Sequence, residues 1–255
     1  MWDPGKYLDY ADLRARPFHD LVSRIGAASP RRVVDLGCGP GNLTVSLRER
    51  WPDAALECSD SSPEMVTAAR ARGLDAALLD VRDWKPAPDT DVVVSNAVLQ
   101  WVPDHAALLR RWAASLPAGA SLAVQVPGNF NAPSHVLTRE LAASPDWTSR
   151  LAEVVLREDD AVSTPLEYAN LLADAGCEVD AWETTYVQPL TGPQPVLEWI
   201  TGTALRPIRA TLPDAEWARF RAELAPRLAA AYPARGDGVT LFEFRRVFFV
   251  ARVSA

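Results

Sequence analysis

A strand-like run, RVVDLG (32–37), leads straight into a turn carrying Gly37, Gly39 and Gly41, after which LTVSLRERW resumes as a helix. That bare turn constrains the fold more than any other stretch. Without Cβ atoms the backbone can take left-handed conformations and come close to a ligand. A strand, a glycine turn and a helix in succession form a unit of parallel sheets, whose ligands sit beyond the carboxyl ends of the strands.

The rest of the first half repeats the alternation. Strands are expected at AALECSD (54–60), DAALLD (75–80), DVVVSN (91–96) and SLAVQVP (121–127). Between them, SPEMVTAARARG opens with Ser62 as N-cap and Pro63 at the first helical position. In PDHAALLRRWAASL, Asp104 is placed to favour a helix start. After residue 128 the pattern turns to loops and helices. It returns to a helix at 165–177 stopped by Gly176, and to a strand at 179–190. Helices broken at Pro207 and Pro213 follow, then a last strand at 247–253. The expected fold is α/β: a doubly wound sheet with helical insertions that cap the ligand end of its strands. We expect one domain over 1–255, with a core of 30–128, 160–190 and 240–255 and cap insertions at about 129–160 and 191–238.

The glycine register narrows the ligand. A dinucleotide fingerprint needs G-x-G-x-x-G, but its third glycine position is held by Asn42, and no Gly-Lys-Ser/Thr ends a phosphate loop. Asp60 closes the second expected strand, 23 residues after Gly37, where a carboxylate can accept both hydroxyls of a ribose. Asp80 closes the third, well placed for an exocyclic adenine amine.

The net charge of −7 argues against nucleic acid or an anionic membrane as the main partner. Any anionic ligand must meet local positive charge. Lys6 and Lys85 are the only lysines among 26 basic residues, so arginine is a bias of the whole chain and each one is weak evidence for a site. Three cysteines, Cys38, Cys58 and Cys177, have no metal-ligand spacing and fit reduced thiols in the cytoplasm. The opening MWDPGKYLDYADLR is charged throughout, so no signal peptide is expected. No apolar run approaches the ~18 residues of a spanning helix.

Four stretches taken together, DLGCGPG, the acid of SDSSPEM, the DVRDW turn and SNAVLQW, resemble the S-adenosylmethionine-dependent methyltransferases of the Rossmann-like class. The resemblance implies that Gly37 and Gly39 pass under the methionine moiety of S-adenosylmethionine, with Gly41 also in the cofactor site and Asp35 ordering the turn. It further implies that Asp60 meets the ribose with Ser61 also touching the cofactor, that Met65 packs on the adenine, that Asp80 and Val81 meet the adenine edge, and that Asn96 lines the site of methyl transfer. Over nearly the full length, through LAVQVPGN, HVLTRE, AGCEVDAWETTY, TGTALRP, FRRVFFVAR and the N-terminal LRARPF, the chain resembles the branch of that family that esterifies trans-aconitate, a small tricarboxylic acid.

That resemblance implies carboxyl O-methylation with release of S-adenosylhomocysteine. A carboxylate is already ionised near neutrality, so neither a general base nor a metal nor a nucleophilic side chain is expected. The other carboxylates need a clamp, for which arginine is suited; the candidates are Arg14, Arg16, Arg206 and Arg245. Tyr10, Gln100, Trp101 and Tyr186 could add hydrogen bonds or a wall, and His135 could donate to a carboxylate. His19 and His105 are expected to be exposed, and Trp147 to anchor the cap. A monomer or weak dimer is expected. Three other readings are weighed: a methyltransferase acting on a malonyl thioester of acyl carrier protein, which predicts a basic patch facing its partner; a sensor that binds the cofactor without turnover; and a dehydrogenase, disfavoured by Asn42.

Overall fold

The computed structural model describes residues 11–254, except for the side chains of residues 11–14 and of Asp159. Seven strands form one mixed sheet. In chain order the elements are α1 (Ala11–Ser23), β1 (Arg32–Leu36), α2 (Val45–Arg50), β2 (Ala55–Asp60), α3 (Pro63–Ala71), β3 (Ala76–Leu78), β4 (Thr90–Asn96), α4 (His105–Ser115) and β5 (Ser121–Pro127). There follow α5 (Pro133–Ala142), α6 (Pro165–Ala173), β6 (Cys177–Leu190), α7 (Pro195–Thr201), α8 (Arg206–Thr211), α9 (Asp214–Ala231) and β7 (Thr240–Val253).

The strand order is β3-β2-β1-β4-β5-β7-β6. Strands β1 to β5 pair in parallel, with Asp35 beside Cys58 on one side and beside Val94 on the other. Both faces of such a sheet are covered, which is why its strands read as unbroken apolar runs. Val33, Val34 and Leu36 of β1, Val92 to Val94 of β4 and Leu122 to Val124 of β5 are all buried. Strand β7 inserts antiparallel beside β5, pairing Gln125 with Phe248 and Pro127 with Arg246. The order reverses between β1 and β4, and β1 feeds the glycine turn at that reversal.

The five expected parallel strands are present, the third of them shorter: it ends at Leu78, so Asp80 lies in the turn beyond it. The last strand is longer than its apolar stretch and begins at Thr240, because alternation along LFEFRR continues the pairing surface. Ser62 caps α3, its hydroxyl accepting from the Met65 amide at 3.4 Å, with Pro63 following. Asp104 precedes α4 in a left-handed conformation and makes no side-chain cap.

The chain divides into two compact units. The first runs to Pro127 and adds Val162–Thr184 and the segment from Arg246; it holds β1 to β5 with the helices between them and α6. The second comprises Gly128–Ala161 and Thr185–Arg245. Its own core forms around Trp147, buried edge-on against Phe220 with its indole N–H donating to Glu223 Oε2 at 2.9 Å. The division falls inside β6 and β7, so each of these strands belongs partly to either unit. Among the described residues, no helix is long and apolar enough to cross a membrane.

Candidate active site

The glycine turn is fastened to the neighbouring strand. The amides of Gly37 and Cys38 both donate to the Ser59 carbonyl, at 2.8 and 2.9 Å. Gly37, Gly39 and Gly41 all have positive φ, at 78°, 57° and 76°, a region that disfavours side chains. Their surroundings differ. A Cβ on Gly37 would come within 2.2 Å of Val98 Cγ2, and one on Gly41 within 2.4 Å of Leu74 Cδ1. Those two glycines let the turn pack. A Cβ on Gly39 would meet nothing within 4 Å, so the bare side of this residue faces open space where a ligand can approach the backbone.

Asp60 ends β2 directly below. Its Oδ2 accepts from the Gly39 amide and its Oδ1 from the Ser62 amide, both at 2.9 Å. Burial pushes this carboxyl above its ordinary value, and the backbone amides of Ser62, Gly39 and Ser61 pull it part of the way back. Ser61 is exposed, whereas Met65, one turn into α3, is buried. Asp35, at the end of β1, is buried and accepts from Thr44 Oγ1 at 2.6 Å. Burial raises it to about 7, with the Thr44 hydrogen bond opposing and the charge of Asp60 adding to the rise. Asp35 and Thr44 thus close the turn from inside. Thr44 went unread in the sequence, although a hydroxyl between a glycine turn and a helix is a usual partner for a buried acid.

Asp80 is engaged differently from the expectation. Arg82 donates its backbone amide and Nε to Oδ1, both at 2.9 Å, and Nη2 to Oδ2 at 2.7 Å. The guanidinium holds the Asp80 carboxyl below its ordinary value. A carboxylate has about four acceptor positions, so one on Oδ2 is left for an amine. Val81, between them, is buried.

At the end of β4 the backbone is unusual. Ala97 takes φ 59°, rare for a residue with a side chain, and its amide donates to the Gln125 carbonyl at 2.8 Å. The kink turns the chain into the one-turn helix Leu99–Trp101. Gln100 Nε2 donates to the Ala97 carbonyl at 2.6 Å. Asn96 Oδ1 and Gln100 Oε1 are buried with no hydrogen-bond partner among the described residues. Trp101 is 40% exposed rather than a core residue.

The remaining acceptor candidates fall in different segments of the chain. Tyr10 lies outside the described residues, as does the side chain of Arg14, whose backbone is in α1. Arg16 is exposed and 4.0 Å from Asp20. His135, Tyr186, Arg206 and Arg245 belong to the second unit. There, Arg245 donates to the Gly128 carbonyl at 2.9 Å, and Arg206 opens α8 with its guanidinium lowered by burial. Tyr186 is buried. His135 packs edge-on to Phe130 beside Thr138, Arg139 and Arg157; burial, then the two guanidinium charges, lowers it to about 4.

His105, expected at the surface, is buried: its Nε2 lies 2.8 Å from the Tyr168 hydroxyl. A buried polar pair was not expected from the sequence. Gln125, buried in β5, and Arg246, buried in β7, are joined by a hydrogen bond from Arg246 Nη1 to Gln125 Oε1 at 3.4 Å. The available signal was a glutamine inside the apolar SLAVQVP run.

A family model described as a methyltransferase domain matches residues 10–181. The trans-aconitate 2-methyltransferase of Rhodococcus jostii (strain RHA1) is 68% identical over 99% of this chain and 100% of its own length. That of Mycobacterium tuberculosis (strain ATCC 25177 / H37Ra) is 56% identical over 99% and 97%. Among solved structures, Haemonchus contortus phosphoethanolamine N-methyltransferase 2 in complex with S-adenosyl-L-methionine aligns with a TM-score of 0.55 at 14% identity, covering 94% of this chain and 53% of that one. An S-adenosylmethionine-dependent methyltransferase from Mesorhizobium loti aligns at 0.51 and 20%, covering 94% and 99%. The sheet order and the glycine turn at its reversal define a Rossmann-like, class I methyltransferase fold. Within that class, the chain belongs to the trans-aconitate 2-methyltransferase family.

Proposed function

We propose that this protein transfers the methyl group of S-adenosylmethionine to a carboxylate oxygen of trans-aconitate, releasing S-adenosylhomocysteine and a methyl ester. The observation that carries the cofactor half is the open side of Gly39 beside the carboxylate of Asp60. Identity of 68% and 56% with full-length relatives of that name supports the acceptor.

Bound S-adenosylmethionine supplies a methyl group already activated by its sulfonium. The chain's own work is to bind, orient and exclude water. Asp60 and Ser61 would take the ribose hydroxyls, and Gly39 would leave the backbone open to the methionine tail in a turn that Gly37 and Gly41 allow to pack. Asp35 would keep the turn in shape, while Met65, Asp80 and Val81 would meet the adenine. Asn96 would face the reacting centre. The acceptor oxygen is nucleophilic as it stands, so orientation and desolvation remain the tasks. Opposite charges on acceptor and cofactor cancel in the transition state, and a dry site favours that cancellation. Tyr10, Arg14, Arg16, Gln100, Trp101, His135, Tyr186, Arg206 and Arg245 remain the sequence-derived candidates for the acceptor. The three cysteines are free thiols, which supports a reducing, cytoplasmic setting.

The test is turnover of methyl-labelled S-adenosylmethionine with trans-aconitate, cis-aconitate, isocitrate, citrate and a malonyl carrier thioester. Label in a base-labile ester of trans-aconitate is expected. Transfer to the thioester alone would overturn the acceptor, and cofactor binding without any transfer would point to a different acceptor or to a sensor.

A further inference from the structure

Strand β5 carries a polar residue that its packing does not require. Gln125 sits fully buried between Val124 and Val126, in a strand whose other central positions are apolar. Register places Asn96 of β4 beside it, and Phe248 of β7 on its other side. Side chains alternate along a strand, so Asn96, Gln125 and Arg246 project from the same face of the sheet, at the carboxyl ends of β4 and β5. Arg246 is buried too, and its Nη1 donates to Gln125 Oε1. That bond orients the amide so that Nε2 is presented on this face. Gln125 Nε2 is buried and has no hydrogen-bond partner among the described residues. A buried donor left in this state destabilises the fold, and such groups call for an explanation, an absent ligand among them.

The polar groups at this end of the strands differ in sign. Asn96 Oδ1 and Gln100 Oε1 are acceptors and suit the cationic side of a cofactor. Gln125 Nε2 and the Arg246 guanidinium are donors and suit an oxyanion. We infer that Gln125 and Arg246 form the anchor for one carboxylate of the acceptor, and that this is a carboxylate that is not methylated.

The last clause follows from charge. The reacting carboxylate loses its charge in the transition state, so a guanidinium on it would favour the ground state and slow the reaction. A carboxylate that keeps its charge throughout is held equally in both states. Its anchor lowers KM and leaves kcat alone. Arg245, one of the four arginines expected from the sequence, donates to the Gly128 carbonyl. The inference rests on the proposed carboxylic acceptor and adds which residues select it.

The test compares wild-type protein with Gln125→Leu, Arg246→Gln and Arg246→Lys. For Gln125→Leu and Arg246→Gln, KM for trans-aconitate is expected to rise at least tenfold with kcat within threefold. The Kd for S-adenosylhomocysteine by calorimetry should stay within twofold. Arg246→Lys keeps the charge and loses the fork, and should recover part of the KM. Independently of turnover, the protein saturated with S-adenosylhomocysteine should bind tricarballylate, an unreactive tricarboxylate, and Gln125→Leu should weaken that binding at least tenfold. Gln125→Leu restores the apolar pattern of β5, so it should fold even if Arg246→Gln does not. Unchanged KM and unchanged tricarballylate affinity would overturn the inference while wild-type turnover stood. Absence of ester from the wild-type protein would overturn the reading beneath it as well.

Discussion

The backbone amide of Gly39 donates to Oδ2 of Asp60 at 2.9 Å, while the other oxygen of that carboxylate takes the Ser62 amide. One side chain thus fastens the glycine turn after β1 to the start of α3, and sets the distance between turn and helix. Each oxygen keeps a second acceptor position. The same carboxylate that builds the loop can therefore receive two hydroxyls of a ligand.

Asp60→Asn retains one acceptor oxygen and loses the charge. Hydrogen bonds to charged groups contribute ~1.5–3 kcal/mol, so S-adenosylhomocysteine should bind roughly 10- to 100-fold more weakly. Calorimetric titration measures this directly, and an unchanged Kd would remove Asp60 from the ribose.

Gly37 and Gly39 should respond oppositely to alanine. At Gly37 the added methyl strikes Val98; overpacking costs ~1–3 kcal/mol and the left-handed conformation about 1–2 more. At Gly39 only the conformational cost applies, but the methyl enters the open space. Gly37→Ala should lose the more stability in urea, and Gly39→Ala should lose cofactor affinity out of proportion to its stability. Equal losses from the two variants in both assays would mean that the turn has no ligand-facing side.

Asp35 sets a pH dependence. Its folded value is raised to about 7 by burial, with Thr44, Asp60 and Cys38 as its polar and titratable neighbours. The folded chain therefore holds a proton that the unfolded chain releases near pH 4. This contribution to stability is complete below that pH and is lost as pH rises through about 7. Asp35→Asn keeps an acceptor for Thr44 and removes the titration. Without cofactor, the variant should melt above wild type at pH 8, with the gap closing toward pH 4. A constant gap across that range would refute the assignment.

Tyr168 and His105 join α6 to α4 inside the first unit. The hydroxyl lies 2.8 Å from Nε2, and Nδ1 faces the Val102 carbonyl at 3.3 Å. Tyr168→Phe leaves Nε2 buried with no partner in the pair, at a cost of ~1–3 kcal/mol. Thermal unfolding should show a clear drop. No drop would mean that water replaces the hydroxyl.

By itself the sequence determined the parallel half of the sheet, the glycine turn and the carboxylate of Asp60. Each is a matter of local chemistry: apolar runs that can be buried on both faces, glycines that alone tolerate the turn, and an acid at a strand's end. What only the tertiary structure decided depends on partners far away in the chain. His105 opens a helix on what looked like a solvent face, and Tyr168, 63 residues on, covers it. Arg82 reaches back over Asp80, which no strand pattern reveals. Arg245 and Arg246 are neighbours in one run, and period-2 alternation sends them to opposite faces of β7. Which of them lies against Gln125 depends on the register of β7 on β5, and a slip of one residue would exchange them.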